Sequence, residues 1–90
     1  MKSLRREGKF RKDIKRIESR NYDTAKFAQI LMWLSTGESL PRSFFPHTLK
    51  GVWLGYWECH IENDWLLIYK ITETEVILAR TGTHGDLFNN

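Results

Sequence analysis

The sequence predicts an α+β fold, a small antiparallel β-sheet with an N-terminal helical hairpin packed on one face. Three observations predict it. Phe10, Ile14 and Ile17, then Phe27, Ile30, Leu31 and Leu34, recur at helical spacing with polar residues between them. The run from Cys59 to Lys70 is the most apolar in the chain, is rich in β-formers and turns once. A further β-rich run, Val76 to Thr81, follows a polar turn. With 90 residues the chain makes one domain, residues 1–90, whose core is small enough that every large apolar side chain matters.

In order along the chain, Lys2 to Arg6 is a candidate opening strand, punctuated by Gly8. The first helix runs from Lys9 to about Arg20-Asn21. Asp23 or Thr24 can cap the second, and Gly37 stops it. A connection this short makes the two helices a hairpin. Leu40 to Lys50 is irregular, broken by Pro41 and Pro46. Gly51 and Gly55 flank Trp53 at the start of the first main strand, which runs to about Ile61.

The faces of the central hairpin follow from its turn. A two-residue turn at Glu62-Asn63 sets His60 opposite Trp65, Glu58 opposite Leu67 and Tyr56 opposite Tyr69. One face then carries Trp57, Cys59, Ile61, Leu66 and Ile68 and sits on the helices. The other carries Tyr56, Glu58, His60, Trp65 and Tyr69, a polar and aromatic working surface. A four-residue loop, Thr72 to Glu75, sets Ile71 opposite Val76 and Leu67 opposite Arg80, which adds Arg80 to the working face. A slip of one residue reverses every such assignment. Thr81 to Phe88 closes the chain as a turn with up to one turn of helix.

Composition narrows the function classes. The net charge is +3, and nine basic residues crowd the first twenty positions. Such a cluster suits a polyanion, although a solvated helix face accounts for it equally well. Cys59 is the lone cysteine, so no internal disulfide forms and a reducing compartment fits. The charged N-terminus is not that of a signal peptide, and no apolar run approaches the ~20 residues of a membrane helix. The expected location is the cytoplasm.

Three histidines carry the chemical signal: His47 in the Pro-flanked loop, His60 on the strand and His84 in the C-terminal turn. Their spacings match no zinc motif, so neither metal nor cofactor is expected. No Gly-rich phosphate loop and no Ser-His-Asp arrangement is present. Taken singly, each histidine reads as an ordinary surface residue. Their combination with Asp64 and Arg80 beside exposed aromatics suits RNA cleavage, which needs a base for the 2′-OH, an acid for the leaving 5′-oxygen and a cation for the phosphate. Exposed rings would stack unpaired bases. Trp65 and Phe88 are the candidates, with Tyr56 and Tyr69 behind them. Cross-strand packing on His60 is an equal reading for Trp65, and anchoring of the tail is one for Phe88. Trp53 and Trp57 read as core.

The chain resembles the YafQ branch of the RelE/ParE toxin superfamily, through His47-Thr48-Leu49-Lys50-Gly51, Gly55-Tyr56, Glu58-Cys59-His60, Asp64 to Lys70 and Arg80 to Phe88. Phe10, Lys12-Asp13 and Lys15 extend the likeness into the first half. Three positions depart from it: Trp57 stands where Arg is frequent, and Pro46 and Thr48 flank the loop histidine in place of an acidic residue and proline. The resemblance implies a type II toxin that cleaves mRNA in the ribosomal A site by 2′-OH attack, without a metal. It implies that His84 is the general acid, that His60 with Asp64 holds the base role and that His47 orients the phosphate. It further implies RNA contacts from Lys50, Trp65 and Phe88 and charge stabilisation by Arg80. The partners it implies are a cognate antitoxin in a hetero-oligomeric complex, mRNA and the 70S ribosome. Two readings from other classes stand beside it: an RNA- or ribosome-binding module that cuts nothing, and a ParE-like toxin acting on DNA gyrase, whose members lack the histidine set.

Overall fold

The structure, a computed structural model, describes residues 1–88. Strand β1 (Ser3–Arg6) precedes helices α1 (Gly8–Ser19) and α2 (Thr24–Thr36). A short strand β2 (His47–Thr48) leads to β3 (Trp57–Glu62), β4 (Trp65–Ile71) and β5 (Glu75–Gly82), and a short helix α3 (His84–Phe88) ends the described chain. The sheet order is β1-β5-β4-β3-β2. All pairings are antiparallel except that of β1 with β5. The parallel edge is a refinement of the expected sheet. The partner of Lys2–Arg6 lies some seventy residues away, as Leu4 pairs with Val76, so no local pattern announces its direction.

The helices form where their sequence signals stand. The Asp23 side chain accepts from the Ala25 N–H at 3.0 Å and caps α2. Gly37, at φ 82°, closes the same helix in the left-handed conformation that a side chain disfavours. Both helices lie on one face of the sheet. Phe10, Ile17, Ile30 and Leu34 meet Cys59, Ile61, Trp65, Leu67, Tyr69, Val76 and Leu78 in a single core. The rings of Phe10 and Phe27, one from each helix, stand 6.1 Å apart. Cys59 points into this core as expected, and burial pushes its thiol up to about 12, which leaves it inert.

The central hairpin departs from the expected register. Its turn is Asn63-Asp64, not Glu62-Asn63: Glu62 pairs with Trp65, and beyond an irregularity at Ile61 the pairs are His60 with Leu66, Cys59 with Leu67 and Trp57 with Tyr69. The moved turn alone would keep the faces; the extra residue at Ile61 makes the net shift one residue and turns β4 over. Trp65 and Tyr69, expected on the working face, are buried at 2% exposure, while Leu66 and Ile68 take their places opposite His60 and Glu58. The reason is physical. Trp65 fills the helix side against Tyr22 (4.9 Å) and Phe27 (5.7 Å), and its indole N–H finds an acceptor there, the Thr81 hydroxyl at 2.8 Å. That hydroxyl donates in turn to the Leu66 carbonyl at 2.7 Å. Trp65 is therefore a core residue and cannot stack a base.

Two further expectations change. Ile71 pairs with Val76 as expected, but a bulge at Ala79 sets Arg80 opposite Ile68 instead of Leu67. The segment around Trp53 is not strand: Gly51–Trp53 is a 3-10 turn and β3 begins at Trp57, itself 37% exposed at the rim of the core.

Trp65→Ala removes the largest side chain of the core. Its expected cost is about 3–5 kcal/mol of unfolding free energy, read as a drop in the urea midpoint.

Candidate active site

Sheet pairing and the two ends of the chain's second half bring the three histidines into a row. β2 pairs His47 with Glu58 on β3. His60 follows on the same face two residues later. The rings of His47 and His60 stand 6.3 Å apart, and those of His60 and His84 stand 5.9 Å apart. Phe88 extends the row, 6.5 Å from His84 and 41% exposed. The middle ring is recessed: the His60 side chain is 28% exposed, against 48% for His47 and 56% for His84.

Each histidine has a carboxylate. The nearly buried Glu58 places Oε1 3.2 Å from Nε2 of His47 and 3.9 Å from Nε2 of His60. Nδ1 of His47 lies 2.8 Å from the Phe45 carbonyl, so both of its ring nitrogens face acceptors. Asp64, in the β3–β4 turn, accepts from the His84 backbone N–H at 2.9 Å and meets Nδ1 of the same ring at 2.7 Å. These two bonds hold the Asp64 carboxyl below the usual carboxylate range. With Nδ1 tied down, the Nε2 edge of His84 is left for substrate. The carboxylate beside His60 is thus Glu58. Asp64, expected to share the base role with His60, orients His84 instead.

The C-terminal turn that carries His84 is held on α1 by charge. Thr83 and Asp86 form a reciprocal cap on α3: the Thr83 N–H donates to the Asp86 carboxylate and the Asp86 N–H donates to the Thr83 hydroxyl, both at 3.0 Å. Asp86 also accepts from Arg20 of α1 at 2.7 Å and 3.3 Å, and Arg16 lies at 3.8 Å. Chiefly through Arg20, this holds the Asp86 carboxyl down at about 2. Gly82 lets the turn close. Its φ is 155°, and a Cβ there would stand 2.9 Å from the Cβ of Asp86.

Arg80 does not point at the histidine row. Its Nε and Nη2 donate to the carboxylate of Asp13 on α1 at 2.7 Å and 3.0 Å, which raises its pKa further and spends its charge inside the fold. Tyr69 is in the core, and burial pushes its phenol up. Tyr56 is half-buried under Lys70, whose Nζ is 5.6 Å from the ring. Lys50 is exposed at the head of the Gly51–Trp53 turn.

Of the residues expected in the site, His47, His60, His84, Asp64 and Phe88 stand together, whereas Trp65 lies in the core and Arg80 turns to Asp13. Glu58, expected on the working face with no chemical task, contacts both His47 and His60, and its place two residues before His60 is the sequence signal for it. Phe45 is not among the expected residues. That residue has the left-handed backbone, φ 48°, at a cost of roughly 1 kcal/mol for an L side chain, and no local pattern signals it.

A row of three histidines with a carboxylate behind each ring is equipped to move protons at one substrate. The family of bacterial toxins of type II toxin–antitoxin systems called YafQ matches residues 2–89. The chain belongs to this YafQ family. The mRNA interferase toxin YafQ of Escherichia coli K12 is 39% identical over 82 residues, covering 90% of this chain and 89% of the relative. The YafQ-family fold is equally close in solved structures. The copper-bound L66S mutant toxin of Helicobacter pylori superposes with a TM-score of 0.93 at 34% identity, covering 98% of this chain and 100% of that one. The E. coli DinJ–YafQ complex superposes at 0.88 and 36% identity, covering 98% of this chain and 99% of that one. Among the described residues of this YafQ-family chain, no group of three or more His, Cys, Asp or Glu side chains is arranged to hold a metal ion. Among them, too, no helix is long and apolar enough to cross a membrane.

The Asp86 pairing makes the turn acid-sensitive. Because its folded pKa of about 2 lies below the ordinary 3.8, the pair's stabilisation is present above about pH 4 and is lost as the pH falls through about 2. Amide exchange at His84 should speed up across that window, and Asp86→Asn should abolish this pH dependence. Gly82→Ala should misplace His84 at neutral pH and cost roughly 1–3 kcal/mol in thermal unfolding.

Proposed function

We propose that this toxin is a ribosome-dependent mRNA endoribonuclease that works by metal-independent acid–base chemistry. It would act in the cytoplasm on mRNA in the A site of the 70S ribosome, and a cognate antitoxin would hold it inactive in a hetero-oligomeric complex. The observation that carries the reading is the bond of 2.7 Å between Asp64 and Nδ1 of His84, in a row whose next ring, His60, is 5.9 Å away. Two imidazoles at that separation can reach opposite sides of one phosphate, since each needs about 3 Å to its proton donor or acceptor. The relatives named as mRNA interferases support the same reading.

In this mechanism His60 takes the 2′-OH proton, with Glu58 behind it to balance the charge the ring gains. The freed 2′-oxygen attacks the phosphorus, and the P–O5′ bond breaks. His84 delivers a proton from Nε2 to the departing 5′-oxygen, while Asp64 holds the opposite edge of the ring. The products are a 2′,3′-cyclic phosphate and a 5′-hydroxyl, so no water is consumed in the cut. His47, with a carbonyl and a carboxylate on its two nitrogens, sits beside the phosphate and orients it. Lys50 and Phe88 contact the RNA on either side. Arg80 enters as a positioning residue that holds β5 and thereby the His84 turn.

The test is induction of the chain followed by primer-extension mapping of mRNA ends. Wild type should generate new ends within coding regions. His84→Ala should lose about 10²–10⁴-fold in cleavage while staying folded, and Asp64→Asn should lose less because the histidine remains. Growth arrest without new ends would leave simple binding or a gyrase target in its place.

A further inference from the structure

A groove of about 510 Å³ opens beside the histidine row, and His60 lines both. Its other walls come from Phe45, Ser43, Lys26 of α2 and the Glu62-Asn63 end of the hairpin. Phe45 is the unusual member. Its neighbour Phe44 turns inward and packs on Trp33 at 5.8 Å, so the apolar demand of this loop is already met. The left-handed backbone at Phe45 points the second ring outward, where it is 64% exposed yet rests 5.6 Å from the ring of His60. An aromatic held in a disfavoured backbone, open to solvent and touching a group placed in the chemistry, adds nothing to the core.

We propose that Phe45 is a stacking platform for one nucleobase of the bound RNA, the base next to the cleaved phosphate on the His60 side. The inference rests on the RNA-cleaving reading above. Every base offers a π-face, so a flat exposed ring binds a splayed-out nucleotide whatever its sequence. The groove has the size of a small-molecule site. Lys26, also in its lining, supplies a cation for the next phosphate, while Ser43, Glu62 and Asn63 offer polar groups to the base edge. Phe45 and Phe88 stand at different places along the row, one beside His60 and the other beside His84. The RNA would thus be gripped by a ring on each side of the bond to be cut.

Phe45→Gly is the informative variant. It deletes the ring, suits the left-handed backbone and keeps the carbonyl that faces His47. Cleavage is measured on ribosomes programmed with a defined mRNA, as rate against toxin concentration. The expected result is an unchanged or higher melting temperature and a half-saturating concentration raised about tenfold, with a much smaller change in maximal rate. Phe45→Tyr and Phe45→Trp should recover wild-type saturation. Equal saturation by Phe45→Gly and wild type would overturn the platform and leave the endonuclease standing. Normal saturation with lost neutralisation by the antitoxin would also overturn it, in favour of a protein contact. If wild type itself cuts no mRNA on such ribosomes, the endonuclease reading fails and the platform fails with it.

Discussion

The carboxylate of Asp13 is the constraint on which the rest of the molecule depends. It is buried at 1% exposure, where an unpaired charge would cost several kcal/mol. Four donors answer it: Nε and Nη2 of Arg80, the backbone N–H of Thr81 at 3.1 Å and Arg16 at 3.3 Å. Three of these belong to the end of β5. A charge on α1 therefore selects one position of β5 beneath the helix, since any slip strands the carboxylate without partners. Thr81, fixed by its N–H, then presents its hydroxyl to Trp65 and to the Leu66 carbonyl. The register of β4 and the placing of the core's largest ring follow from that.

The same helix governs the chemistry at a distance. Arg16 bridges Asp13 and Asp86, Arg20 pairs with Asp86, and Asp86 caps the turn bearing His84. Four of the nine basic residues at the N-terminus are therefore paired within the fold. Lys2 donates to the carbonyls of Thr72 and Glu73, Arg5 pairs with Glu75, and Arg16 and Arg20 hold the tail. Charge counted along the sequence overstates what is left for a polyanion. The exposed rim of the site is built from fewer groups, and these are the titratable ones: three imidazoles with Glu58 and Asp64 behind them.

Stability and function divide cleanly between the faces of the sheet. The helix side is a packed core in which every buried side-chain polar atom among the described residues has a partner. On the other side the left-handed Phe45 stands beside His60 and Gly82 leaves room for Asp86, while the second left-handed residue that is not glycine, Asn21, lies in the α1–α2 connection. Backbone cost of this kind persists only where the surroundings over-determine it, and at Phe45 it sits beside the middle ring of the histidine row.

What the sequence determined by itself was local: both helices with the Asp23 and Gly37 signals, the three β-rich runs, the α+β class, and the identities of His47, His60, Asp64, His84 and Phe88. Those features rest on periodicity and residue type, which a short window carries. The tertiary structure alone decided the rest. Whether Trp65 faced substrate or core hung on one extra residue at Ile61, because moving the turn alone shifts the pairing by two and keeps the faces, and both registers alternate equally well along the strand. The choice fell to the acceptor offered by Thr81 and the rings of Tyr22 and Phe27, all distant in sequence. Arg80 turned inward because Asp13, 67 residues earlier, was buried and needed a cation. Asp64 met His84 rather than His60 because the β5 bulge and the Thr83–Asp86 cap aimed the tail at the hairpin turn. Each outcome was settled by satisfying a buried charge or hydrogen bond between segments far apart in the chain, and that demand appears only once the segments meet.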